Sequence, residues 1–205
     1  MKDKRVLVSW SGGVDSTYLI ENYLGRGYKV DSVYTKIQNN DTKIVRELAA
    51  INKMQDYFKP YAYTHLGDVG IDLNLSPINF NIELAQPLLF LTTLFYALKP
   101  EHTEVAIGYI LNDCAISYIN DIQKTWKSFQ GNCTTKLPPL VFPLSKTDKV
   151  QTYNGLPSEI KELVTWCESA GEEDRCGECH PCKKMKYYGL FPGDVDTSAN
   201  DWSSW

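Results

Sequence analysis

The sequence predicts an α/β fold: a parallel five-stranded sheet with helices on both faces, followed by a small cysteine-bearing knuckle near the C-terminal end. Three observations predict it. Short, β-prone apolar runs alternate with stretches of helical periodicity through the first 153 residues, the pattern of a parallel sheet with crossover helices. The first of these runs ends in a glycine turn that opens a helix, which is where open α/β sheets place a ligand. Four cysteines then crowd into positions 167–182.

Lys4-Arg5-Val6-Leu7-Val8 forms the first strand, and Tyr18 to Leu24 carries apolar residues at helical spacing. Between them runs Ser9-Trp10-Ser11-Gly12-Gly13-Val14-Asp15-Ser16-Thr17. Two adjacent glycines let the backbone turn tightly and approach a ligand with no Cβ in the way. The hydroxyls of Ser11, Ser16 and Thr17 and the free N–H groups of the new helix make an anion site, most often one for phosphate. The Gly-Lys-Ser/Thr ending of a Walker loop is missing. Asp15 would repel a phosphate unless a divalent cation lay between them, so Mg²⁺ is implied. The plain alternative is a strand–helix turn capped by a Ser or Asp. Because Asp15 is placed in the loop, its removal should leave the fold intact.

The remaining elements follow in order. Tyr28 to Lys36 reads as a second strand, and Asp41 opens a helix to about Lys53 with Ile44, Val45, Leu48 and Ile51 on one face. Tyr61 to Leu66 is the third strand, and Gly67 to Asn81 is a long loop rich in Gly, Asp, Asn, Ser and Pro. Leu88 to Lys99, with Pro87 at its start, is apolar nearly all round and reads as a buried helix. Thr103 to Tyr109 is the fourth strand, and Asp113 to Gln130 is mostly helical. A short strand lies within Leu137 to Leu144, and Ser145 caps a brief helix through Tyr153. Residues 193–205 form a polar tail, in which Trp202 and Trp205 could dock on the body or on a partner subunit.

The chain of 205 residues is 43% hydrophobic and 22% charged, the balance of a soluble single domain. A net charge of −4 argues against a broad nucleic-acid surface. No apolar run reaches membrane-spanning length and no signal peptide precedes the first strand, so a cytoplasmic protein without a membrane partner is expected. Six cysteines in that compartment suggest metal ligands or buried thiols rather than disulfides.

Cys167, Cys176, Cys179 and Cys182 supply the four thiolates of a closed tetrahedral Zn²⁺ site, which leaves no open position for catalysis and so reads as structural. An iron–sulfur cluster accepts the same four ligands. His180 is a possible substitute ligand but is expected to be exposed, while Cys114 and Cys133 read as packed thiols.

Ser11-Gly12-Gly13-Val14-Asp15-Ser16 resembles the pyrophosphate loop of the N-type ATP pyrophosphatases, whose fold is the adenine-nucleotide alpha-hydrolase type. Together with the cysteine spacing, the loop resembles the 7-cyano-7-deazaguanine synthase family, which makes the nitrile precursor of queuosine and of deazaguanine bases in DNA. Gly108 and Asp113, Tyr118 and Asp121 at a one-residue offset, Pro143-Leu144 with Asp148-Lys149, the Leu88–Leu91 helix and Thr165-Trp166-Cys167 also match family elements. Three positions depart. Gln86-Pro87 stands where the family has Arg-Asn, Tyr34-Thr35-Lys36 where it has Tyr-Gly-Gln, and Met185 where it has Arg.

The resemblance implies that ATP binds along Trp10, Ser11, Gly12, Gly13, Val14, Asp15, Ser16 and Thr17, with Asp15 on Mg²⁺. Lys149 would neutralise phosphate charge, and Asp113 would orient ammonia or substrate. The implied substrates are 7-carboxy-7-deazaguanine, ammonia and ATP; AMP and pyrophosphate are the other products, and a homodimer is expected. The domain map is 1–153 for the ATP-binding core, 154–192 for a zinc-binding helical segment and 193–205 for the tail.

Overall fold

The computed structural model describes residues 4–38, 40–71, 82–169 and 175–191, without the side chains of 82–85. The tail tryptophans and residues 72–81 of the expected long loop lie outside the described residues.

Five parallel strands form one sheet in the order β3-β2-β1-β4-β5. They are β1 (Arg5–Ser9), β2 (Lys29–Ile37), β3 (Tyr63–Ile71), β4 (Glu104–Ala106) and β5 (Leu140–Val141). The helices are α1 (Val14–Gly25), α2 (Asp41–Phe58), α3 (Ile82–Ala97), α4 (Ile119–Ser128), α5 (Lys149–Asn154), α6 (Ser158–Lys161) and α7 (His180–Tyr187). Strand alternation sends successive β1 side chains to opposite faces. Val6 and Val8 pack with Leu19, Ile20 and Tyr23 of α1 and with Ile51, Met54 and Phe58 of α2. Leu7 packs with Leu91 and Leu94 of α3 and Ile122 and Trp126 of α4. Ile160, Val164 and Met185 from the C-terminal stretch join the first of these two cores. Among the described residues, no helix is long and apolar enough to cross a membrane.

Five expectations change. The third strand runs on through Gly67 to Ile71, because pairing of Thr35 with Val69 and Ile37 with Ile71 gives this polar stretch a ladder that composition does not reveal. Helix α2 continues past Lys53 to Phe58, whose ring is fully buried in the core. The apolar helix is buried on one side only, for Leu88 is 46% and Tyr96 80% exposed. The cap of α5 is Asp148 rather than Ser145: its carboxylate accepts from Gln151 N–H at 2.8 Å, and the Gln151 side chain returns the bond to Asp148 N–H at 3.0 Å. Nor are Cys114 and Cys133 packed thiols; Cys114 is exposed and Cys133 half-buried.

A buried carboxylate ties β1, β2 and the entry to β4 together. Asp31, 1% exposed, accepts from His102 Nε2 at 3.0 Å and faces Arg5 at 3.4 Å. His102 Nδ1 accepts from Lys99 N–H at 2.9 Å, which leaves the ring proton on Nε2 to serve Asp31. Burial pushes the Asp31 pKa up, but the His102 hydrogen bond and the charges of Arg5 and Lys99 outweigh it and hold the pKa below the ordinary value. A depressed carboxylate stabilises the fold above its unfolded pKa, and that contribution is lost as pH falls through the folded value. The urea midpoint should therefore fall as pH drops below about 4. Asp31→Asn should lower the neutral-pH midpoint and flatten that acid limb; an unchanged limb would show that Asp31 does not carry it.

Candidate active site at the sheet switch point

The chain leaves β1 toward β2 on one side and meets β4 on the other, so the strand order reverses between β1 and β4, where open α/β sheets bind ligands. A cavity of about 590 Å³ opens there. Its wall takes Trp10, Ser11, Gly13, Asp15 and Ser16 from the β1–α1 turn, and Ile107, Gly108, Tyr109 and Asp113 from beyond β4. Tyr34, Thr35 and Ile37 come from β2; Lys43 and Glu47 from α2; Gln86, Leu89 and Phe90 from α3.

Glycine is required at two points of the rim. Gly12 has φ +71°, and a Cβ there would come within 3.1 Å of the Glu47 carbonyl and 3.2 Å of Ile51. A Cβ on Gly108 would lie 3.2 Å from Ser16 Cα, so this glycine lets the β4 loop close on the start of α1. Gly13 is the N-cap of α1 and supplies no side-chain acceptor. The first-turn N–H groups of a helix have no intrahelical partner, so they are available to an anion at the cavity. Ser11 and Ser16 join hydroxyls at 3.2 Å beside them.

Several side chains of the motif make bonds and contacts within the core, Trp10 among them although it also lines the cavity. Trp10 is fully buried and donates its Nε1–H to Thr17 Oγ1 at 2.9 Å, and Thr17 in turn reaches Met54 Sδ at 3.9 Å. Thr17 and Val14 are thus core side chains, and Gly12 packs closely against α2. Asp15 lies in the first turn of α1 rather than in the loop. Its carboxylate forms an ion pair with Lys149 Nζ and accepts from Thr152 Oγ1 at 2.9 Å. Lys149 therefore stands behind Asp15, away from the cavity wall, and spends its charge on that carboxylate.

Asp113 reaches the wall with one oxygen held by Ile110 N–H at 2.8 Å. Burial raises its pKa; the Ile110 hydrogen bond and the Lys149 and Lys184 charges pull it down, while the Asp15 charge adds to the rise. Two neighbouring carboxylates of this kind suit a divalent cation. Lys184 on α7 thus brings a cation near Asp113, whereas Met185, at the position where the resembled family carries Arg, is buried in the core.

Sequence reading missed the second wall. Tyr34 Oη donates to Glu47 at 2.5 Å, and Lys43 pairs with Glu168 at 2.8 Å. Burial works against the Lys43 ammonium, but the Glu47 and Glu168 charges raise its pKa above the ordinary value. The hydroxyls of Thr35 and Tyr109 are buried with no hydrogen-bond partner among the described residues. The only available signal was the helical spacing of Lys43 and Glu47, four residues apart on α2, which ordinarily marks a solvated ion pair.

The cysteines converge as their spacing indicates. The Sγ atoms of Cys167, Cys176, Cys179 and Cys182 lie within 4.8 Å of one another, and the set could hold a metal ion. A tetrahedral Zn–S distance of about 2.3 Å needs sulfurs close to this spacing. Ser169 and the N–H groups of Cys179 and Glu178 donate toward Cys176 Sγ and lower its pKa to about 6, favouring the thiolate a metal needs. His180 is exposed and outside the set.

No family model matches the chain. A 7-cyano-7-deazaguanine synthase from Thermoplasma volcanium is 24% identical over 214 residues, spanning 88% of this chain and 84% of that one. The chain is similar to 7-cyano-7-deazaguanine synthase. The likeness to that synthase extends far beyond the glycine turn, over the greater part of both sequences. A solved structure described as a predicted subunit of tRNA methyltransferase from Methanocaldococcus jannaschii shares 15% identity and a TM-score of 0.43, covering 92% of this chain and 90% of its own. Overlap that loose adds nothing to the likeness to 7-cyano-7-deazaguanine synthase.

Proposed function

We propose that the chain is an ATP-dependent 7-cyano-7-deazaguanine synthase that converts 7-carboxy-7-deazaguanine and ammonia to the nitrile. One observation carries this reading: a sequence similar to that synthase over 88% of its length folds so that its glycine turn opens onto the switch-point cavity. A carboxylate is a poor electrophile, so the acid oxygen first attacks the α-phosphorus of ATP and pyrophosphate leaves. Ammonia then adds to the acyl adenylate, AMP departs, and an amide remains. The amide oxygen then attacks the α-phosphorus of a second ATP and pyrophosphate leaves; loss of AMP and of the two amide protons leaves the nitrile.

No step needs a protein nucleophile, so the residues bind, orient and neutralise charge. The α1 N-terminus with Ser11 and Ser16 faces the departing pyrophosphate, and Lys43 supplies a cation on the facing wall. Mg²⁺ held at Asp15 would shield the phosphates. Asp113, held by Ile110 and with its pKa raised by burial, orients ammonia. The Thr35 and Tyr109 hydroxyls, buried at the wall without partners, suit the polar edge of a deazaguanine. Zinc at the four cysteines is structural. The working state is a homodimer in the cytoplasm, with no nucleic acid bound directly.

The experiment is product mass after incubation with saturating ATP, Mg²⁺, ammonia and the acid. The expected product is lighter than the amide by one water. Accumulation of the amide alone would make this an amide-forming relative, and no turnover of the acid would leave a different ATP pyrophosphatase.

A further inference from the structure

The segment that carries the cysteines is tied to the cavity at three points. Thr165, two residues before Cys167, donates its N–H to the Gly12 carbonyl at 3.0 Å. Asn40 uses both ends of its amide. Its Oδ1 caps α2 by accepting from Lys43 N–H at 3.1 Å, and its Nδ2 donates to the Glu168 carbonyl at 3.0 Å. The Glu168 carboxylate, next in the chain to Cys167, accepts from the Lys43 ammonium at 2.8 Å. Glu168 and Lys43 both line the cavity, which brings the residue beside a cysteine of the metal-binding set to the wall that faces the glycine turn.

A lysine side chain free in water samples many rotamers, and ordering it on binding weakens affinity. A carboxylate at 2.8 Å selects one arrangement beforehand. That carboxylate is in turn fixed by its own backbone, held on one side by Asn40 and on the other by Cys167. The separation of Lys43 and Glu168 by 125 residues means that nothing local maintains the pair. It persists only while the cysteine segment stays in register with α2.

We propose that Glu168 is a positioning residue that couples the four-cysteine site to the cavity: it holds the Lys43 ammonium on the wall, so metal occupancy sets the affinity of the cavity for its anionic ligand. Only the identity of that ligand rests on the ATP reading above. The coupling itself rests on the geometry. A purely structural clip between α2 and the C-terminal segment would affect stability alone.

The test measures Mg-ATP affinity by calorimetry, metal content by elemental analysis and the order of Lys43 Nζ by ¹⁵N NMR. The proteins are the wild-type chain with metal and after chelation, Glu168→Ala, Glu168→Gln and Glu168→Asp. Glu168→Ala should keep its full metal content yet bind Mg-ATP about tenfold more weakly, the size of one lost preorganised ionic contact. Glu168→Asp should recover most of that affinity, and Glu168→Gln, which keeps the volume but not the charge, should not. Chelation should broaden the Lys43 Nζ signal as Glu168→Ala does. Wild-type affinity and an unchanged Nζ signal in Glu168→Ala would overturn the proposal. If the wild-type chain binds no Mg-ATP, the nucleotide reading fails. The coupling then stands if the Nζ signal is sharp in the wild type and broad in Glu168→Ala and Glu168→Gln, and falls if the signals match.

Discussion

Asp15→Asn should slow the release of AMP and pyrophosphate by about a hundredfold to a thousandfold, the scale of losing one preorganised electrostatic group. Asn keeps the size and the Thr152 contact but removes the charge. The charge answers to two groups, the Mg²⁺ proposed at the phosphates and Lys149, with which Asp15 is paired across 134 residues. The pair is mostly buried, with side chains 20% and 15% exposed. Its loss should therefore also cost about 1–3 kcal/mol of stability, because Lys149 is left without its carboxylate. The expectation that removal of Asp15 spares the fold is corrected by that contact. AMP formation followed by chromatography, beside a thermal melt, separates the two effects. Full activity in the variant would remove Asp15 from the mechanism, and release of ADP and phosphate by the wild type would sink the ATP-pyrophosphatase reading.

Removal of the metal is expected to have the largest effect on the fold. Cys167 is 2% exposed and Cys182 fully buried, with Cys176 and Cys179 half-buried beside them, and weak contacts such as Cys179 Sγ to Cys167 Sγ at 4.0 Å join these sulfurs. Free energy of binding at a structural zinc is free energy of folding. Chelation, or Cys179→Ser, should lower the melting midpoint by on the order of 10 °C or more. Hydrogen exchange should rise first in residues 164–169 and 175–191, which reach the first core through Val164 and Met185. Elemental analysis should find zinc. Iron in its place, or a Cys179→Ser protein as stable as the wild type, would contradict the structural zinc site.

Local order decides what could be read without coordinates. The β1–turn–α1 unit was legible because its strand, glycines and helix face occupy one short stretch, and each needs only its neighbours to be recognised. The cysteine set was legible for the same reason: ligand spacing is a short-range property, and the sulfurs converge as the spacing demands. The alternation of apolar runs also gave the parallel sheet, since each crossover helix separates two strands that must then run the same way.

What the sequence left open depends on residues far apart in the chain. The polar end of β3 becomes a strand only through pairing with β2. Asp148 rather than Ser145 caps α5 because its carboxylate meets Gln151 in the folded turn. Trp10 Nε1–H and Thr17 Oγ1 satisfy each other inside the core, a pairing of side chains that the motif by itself does not reveal. The cavity's second wall is the clearest case. Lys43, Glu47 and Glu168 look like ordinary surface charges in the sequence, and only tertiary packing brings them together opposite the glycine turn. The physical reason is that spacing along a chain encodes contacts within a few turns or a strand pair, whereas the partner of a charge 125 residues away is chosen by the packing of whole elements.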